Sequence, residues 1–197
     1  MNNIILKGTI RDISYSHNIQ DTEYYKANLI VQRDKIKEDI INLKFKHFSN
    51  PYKNGDEVKL LGNVRTFSQR LGDKNKVDVY VFTYFDKPEI NDETPITNRL
   101  EIDGKICKLN PIRKTKSRKD VIDFIIANNI VNDKNQCLNC YIPCVAWGKL
   151  AKKIAASNVG DNITIIGQLQ SREFKKKIND QDYEIRIAHE INVNEVL

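Results

Sequence analysis

The sequence predicts an all-β protein built from two five-stranded barrels in tandem. Three observations carry that reading: alternating apolar segments run through both halves, one segment pattern occurs twice about 100 residues apart, and a single short stretch has helical periodicity. The repeat is clearest where GDEVKLLGNV (55–64) is echoed by GDNITIIGQL (160–169). Each reads Gly-Asp, a variable position, then an alternating apolar strand ended by Gly.

The first strand of each half places apolar residues on alternate positions around one glycine: Ile4, Leu6, Gly8, Ile10 and Leu100, Ile102, Gly104, Ile106. A glycine inside a strand marks a bend or bulge, as at a barrel corner. The second strands follow, with Asn28–Val31 parallel to Asp123–Ile126. In the third strands Leu43 and Phe45 match Ile142 and Cys144 as core positions. Phe48 then matches Trp147, and Lys44 and Lys46 fall on the outward row. The one helix expected is Lys149–Ser157, where Leu150, Ala151, Ile154 and Ala155 form a 3.6-period stripe between the third and fourth strands. The corresponding interval in the first half, SNPYKN, is too short for a helix. The last strands are expected at 78–85 and 183–191. Five strands, a helix or loop after the third and a Gly bend in the first define the oligonucleotide-binding (OB) barrel. A polar stretch with two prolines, PEINDETPITN, separates the copies, giving an N-terminal barrel over 1–90, a linker over 91–98 and a C-terminal barrel over 99–197.

Composition narrows the partner. The chain has 197 residues and a net charge of +6. Residues 1–97 carry 15 basic and 14 acidic groups and residues 98–197 carry 17 and 12, so the excess lies in the second half. A positive field favours polyanions. No apolar run is long enough to span a bilayer, the N-terminus does not read as a signal peptide, and a cytoplasmic protein with no membrane partner is expected. The four cysteines are read as reduced thiols. Cys137 and Cys140 form a C-x-x-C, but a zinc site needs four ligands, so no metal and no cofactor are expected. The nucleotide-loop, metalloprotease and nucleophile-elbow motifs are missing and the three histidines are scattered, so no enzyme is expected.

The segment YIPCVAW (141–147) is apolar on both faces. Ile142, Cys144 and Ala146 form a core row, which leaves Tyr141, Pro143, Val145 and Trp147 on the other. That outward row sets two large rings roughly 20 Å apart. From Tyr141 to Phe174, YIPCVAWGKLAKKIAASNVGDNITIIGQLQSREF resembles the heart of the bacterial single-stranded DNA-binding protein family, with an aromatic strand, a GKLA helix start, the GD-x-I-x-I-G-x-L strand and then SR before an aromatic. The resemblance is looser over 98–191 and weak in the first half. It implies that bases stack on Tyr141, Trp147 and Phe174, and that the matching position of copy one, Phe48, contributes a ring.

Two basic runs supply phosphate contacts in this reading. Arg113, Lys114, Lys116, Arg118 and Lys119 lie between the first two strands of copy two, and Arg172, Lys175, Lys176 and Lys177 are expected in the loop joining its last two strands. Lys149 at the helix start and Lys44 and Lys46 of copy one join them. In OB barrels these two loops flank the binding face. The function implied is binding of single-stranded DNA with little sequence preference, in DNA replication, recombination or repair, in a plasmid or phage setting among others. A homodimer would restore the family's usual four barrels. The sequence reads EINVNEVL directly after the last strand, so recruitment of repair enzymes through the acidic tail that the resemblance implies is not expected. A second reading from another class is an OB-fold interaction scaffold of a primosome-like or conjugation complex, with Tyr80, Phe82 and Tyr84 buried against a partner protein.

Overall fold

The computed structural model describes residues 1–47, 52–71, 74–83, 97–131, 135–179 and 182–197. Phe48, Tyr84 and most of the linker stretch lie outside them. Barrel one comprises β1 (Asn2–Ile19), β2 (Thr22–Gln32), β3 (Glu38–Lys46), β4 (Glu57–Leu71) and β5 (Lys74–Thr83). β1 pairs antiparallel with β2 and β4, β2 with β3, and β4 with β5. A short parallel contact, Leu43 opposite Val81 and Lys44 opposite Phe82, closes the ring.

Barrel two repeats this plan with β6 (Asn98–Leu109), β8 (Asp120–Val131), β9 (Cys137–Trp147), β10 (Asn162–Lys177) and β11 (Tyr183–Val196); a two-residue strand, β7 (Arg113–Lys114), edges β8. Its closure is the parallel contact of Cys144 with Ile191 and Val145 with Asn192. The architecture is therefore all-β, two tandem OB barrels, as the alternation predicts. The apolar rows of β1 and β6 are fully buried at Ile4, Leu6, Ile10, Leu100, Ile102 and Ile106. Gly104 sits where a Cβ would lie 2.6 Å from the Ala127 carbonyl oxygen, and Gly8 meets Ile30 in the same way. Both glycines let the first strand bend tightly against the second, which fixes the barrel corner.

The helix α1 (Gly148–Ala155) starts one residue earlier and ends two residues earlier than the periodicity suggests. Ala151 and Ile154 are buried as expected, but Ala155 is exposed. Gly148, at φ +58°, makes the abrupt exit from β9 into the helix. No described helix is long and apolar enough to cross a membrane.

The two barrels meet about a pseudo-two-fold axis. β1 and β6 pair antiparallel with Ile4 opposite Leu100, the two residues that occupy the same place in the repeat. Asn2 and Asn98, one turn of the repeat apart, are both buried and act alike. The Asn2 amide donates to the Val64 carbonyl at 2.8 Å while its oxygen accepts from Val64 N–H at 2.9 Å. Asn98 does the same to Leu169, at 2.7 and 3.1 Å. Each side chain thus substitutes for a strand backbone and satisfies groups that burial would otherwise leave unpaired. A second pair of contacts lies further out. The Tyr141 N–H on β9 donates to Thr66 Oγ1 on β4 at 2.9 Å, and Ile40 N–H on β3 donates to Ser171 Oγ on β10 at 2.9 Å. Thr66 and Ser171 stand four residues after the closing glycine of each repeat.

Candidate nucleic-acid interface

In both barrels the strands that close the ring turn one row of side chains outward. In barrel two, β9 presents Tyr141, Pro143, Val145 and Trp147. By register Asn192, Glu190 and Ala188 of β11 and Gln168, Gln170, Arg172 and Phe174 of β10 share that face. The three rings read from the sequence therefore fall on one surface. Tyr141 is 48% exposed and Trp147 43% exposed, while Phe174 is half-buried.

Trp147 is held in place. Its indole N–H donates to Asn192 Oδ1 at 3.0 Å. Asn192 is the direct neighbour of Val145, which is only 4% exposed. This corrects the expectation of a uniformly exposed row: Val145 is buried and Pro143 is half-buried. The strand begins at Cys137, four residues before Tyr141. Because β9 is extended there, Cys137 and Cys140 face opposite sides of the strand, one exposed and one buried. A C-x-x-C chelates through a turn, and this one has none. Among the described residues no His, Cys, Asp and Glu cluster has the makings of a metal site.

The basic residues divide into three groups. Arg113 pairs with Asp123 at 2.6 Å, and Lys114 pairs with Asp120 at 2.6 Å. Lys114, assisted by Lys152, holds the Asp120 carboxyl below its ordinary range. These two cations are partly neutralised across the β7–β8 ladder. Lys116, Arg118 and Lys119 ride the exposed turn beyond it, where Arg118 N–H donates to Thr115 O at 2.9 Å and Arg118 adopts φ +60°. Lys149 is exposed on the first turn of α1.

The third group overturns an expectation. Arg172, Lys175, Lys176 and Lys177 are not in a loop: they form the end of β10, whose ladder with β11 runs unbroken to Lys177 opposite Tyr183. Backbone pairing extends a strand without any apolar row, which is why this polar stretch reads as loop. Alternation then splits the cations. Arg172 and Lys176 share the face of Phe174, with the Arg172 guanidinium 6.0 Å from the Phe174 ring centre and 3.4 Å from Glu190. Lys175 and Lys177 point to the opposite face, beside the exposed Ile185 and Tyr183.

Barrel one carries the richer surface, and the sequence showed only its parts. A cleft of about 650 Å³ opens over the outward rows of β3, β4 and β5. Lys44 and Lys46 line it, together with Phe67, Tyr80 and Phe82. The β1–β2 hairpin adds His17 and Tyr24, whose rings stack 5.0 Å apart. Gln136, just before β9, and Leu138, at its start, complete the wall from barrel two. The rings are already partnered by cations. Lys44 Nζ lies 4.1 Å from the Tyr80 ring centre and 5.8 Å from that of Phe67, and the Arg65 guanidinium lies 4.0 Å over Phe82. Burial pushes the Lys44 ammonium below its ordinary value and the Tyr80 hydroxyl above its own. No carboxylate lines the cleft among the described residues; Asp78, whose charge acts on Lys44, is paired with Lys76 at 3.0 Å. Tyr80 and Phe82 thus face a groove inside the chain, and the alternation of 80, 82 and 84 was the sequence signal for it.

Two OB barrels joined through their first strands, each displaying rings and cations on its closing strands, define a tandem OB-fold protein. Residues 97–196 match the model of the Single-strand binding protein family, and the chain belongs to that family. The wild-type single-stranded DNA binding protein from Thermus aquaticus superposes with a TM-score of 0.72 and 16% identity, covering 100% of this chain and 92% of that one. A deletion mutant of the same protein gives the same score and identity, with 93% of that chain covered. At this identity the likeness establishes the fold. No curated protein matches the chain.

Proposed function

We propose that the protein binds single-stranded DNA with little sequence preference, by stacking bases on Tyr141, Trp147 and Phe174 and holding phosphates with the cations around them. The observation that carries this reading is the pair of large rings left about half exposed on β9, on the same face as Phe174 and Arg172. An exposed Trp whose N–H is already satisfied by Asn192 offers a π-face rather than a hydrogen-bonding edge. Every base has such a face, so stacking tolerates any sequence and contributes about 1–3 kcal/mol per base. Lys116, Arg118, Lys119, Lys149, Arg172 and Lys176 supply the charge, and each phosphate neutralised releases counterions. Binding of this kind would serve DNA replication, recombination or repair.

The test is a triple variant, Tyr141→Ala, Trp147→Ala and Phe174→Ala. All three side chains are exposed or half-buried, so the urea midpoint is expected to stay close to that of the parent. Affinity for oligo-dT in a labelled-strand anisotropy assay is expected to fall roughly 100-fold or more, given at least about 1 kcal/mol per ring. An affinity equal to the parent's would remove the stacking surface from the account.

A further inference from the structure

We propose that the ring face of barrel one, where a single strand is expected to lie, is capped in the free protein by Lys44 and opens when phosphates draw that ammonium off the rings. The inference rests on the single-strand reading above and adds a switching step to it. In the free protein the Tyr80 face is occupied, because Lys44 Nζ stands 4.1 Å from its centre, with Phe67 at 5.8 Å. A base cannot stack on a face that an ammonium covers. The two caps differ in how readily they move. Arg65 and Phe82 are each only 6% exposed, so that pair is part of the packing. Lys44, Tyr80 and Phe67 are half-buried or exposed, and Lys44 has a flexible stem.

A strand entering the cleft brings what each capped group lacks. Its phosphates offer Lys44 an anion in place of a ring quadrupole, and its bases offer Tyr80 and Phe67 a stacking partner in place of the ammonium. No bond forms or breaks; one set of contacts exchanges for another. The surroundings favour that exchange, since the wall holds Lys44, Lys46 and Arg65 and no carboxylate among the described residues. Leu138 of β9 and the preceding Gln136 stand in the same wall, and Tyr141 and Trp147 lie further along that strand. The two sites are therefore joined by one element, and a strand leaving the cleft meets the barrel-two rings.

The exchange has a signature that a rigid site lacks. Removing the cap takes away a phosphate contact but also frees the Tyr80 face. Lys44→Gln is expected to bind oligo-dT more weakly than the parent at low salt. Its plot of log affinity against log salt should be shallower by about 0.7, the single-strand value for one phosphate. At high salt, where the phosphate contact is screened, the variant should bind as tightly as the parent or tighter, so the two lines cross. Tyr80→Leu should lose roughly 5- to 150-fold, whereas Tyr80→Phe, which keeps the ring and the packing, should bind as the parent does. A Lys44→Gln line parallel to the parent's, or below it at every salt concentration, overturns the switch, as does a Tyr80→Leu affinity equal to the parent's. If the parent chain itself ignores oligo-dT, the single-strand reading falls and this inference falls with it.

Discussion

His189 shows how one side chain registers the contact between barrels. It sits on β11 at 9% exposure, and its Nε2–H donates to the Ile40 carbonyl of β3 at 2.7 Å. Burial holds its pKa below the ordinary 6.5, and the Ile40 hydrogen bond and the charges of Asp39 and Asp78 only partly offset that. The unfolded chain takes up the proton first as pH falls. Stability should therefore be at its full value above about pH 6.5 and decline below it, until the folded-state pKa is passed, by at most about 1.4 kcal/mol per pH unit. Comparing the parent with His189→Gln by urea unfolding between pH 7.5 and 5 isolates this group from the carboxylates. The difference in stability should shrink as pH falls; a difference constant with pH would mean that His189 titrates normally. At the same scale, the outward positions of Tyr141 and Trp147 were legible because a strand alternates. The burial of Val145 was not, since Val145 lies at the barrel closure, opposite Asn192 of a strand far away in sequence. The neutralisation of Arg113 and Lys114 was hidden for a similar reason: their carboxylate partners are set by hairpin register.

Among the elements, β3 and β10 meet across the two barrels through a buried carboxylate. Asp39, only 1% exposed, receives the Arg33 guanidinium on both oxygens and also accepts the Ser171 N–H at 2.6 Å. Arg33 in turn donates to the Ser171 carbonyl at 2.8 Å. Removing one partner of a buried pair leaves the other charge uncompensated, which costs about 3–5 kcal/mol. Arg33→Ala should lower the urea midpoint accordingly, and a midpoint within error of the parent's would show that Ser171 alone satisfies Asp39. Strand existence in both barrels was legible from period-two alternation, and the helix from its stripe. The far end of β10 was not, because SREFKKK has no apolar row and its extension comes from backbone pairing with β11.

Seen whole, the chain is a covalent pair of barrels about a pseudo-two-fold axis through Ile4 and Leu100. The duplication was readable from two glycine-punctuated strands, yet the two outward faces have diverged. Where barrel one places Arg65, Phe67, Tyr80 and Phe82, the matching positions of barrel two hold Gln170, Arg172, Glu190 and Asn192. The richer cleft escaped sequence reading because it is assembled from two hairpins, a third strand and a strand of the other barrel. Function at this scale turns on whether a single strand lies across these faces. Trp147 is the sole tryptophan and reports on the barrel-two surface directly. Titration with oligo-dT at low salt should quench its fluorescence strongly and saturably, and added salt should restore it. Emission that stays unchanged at saturating single strand would contradict the account.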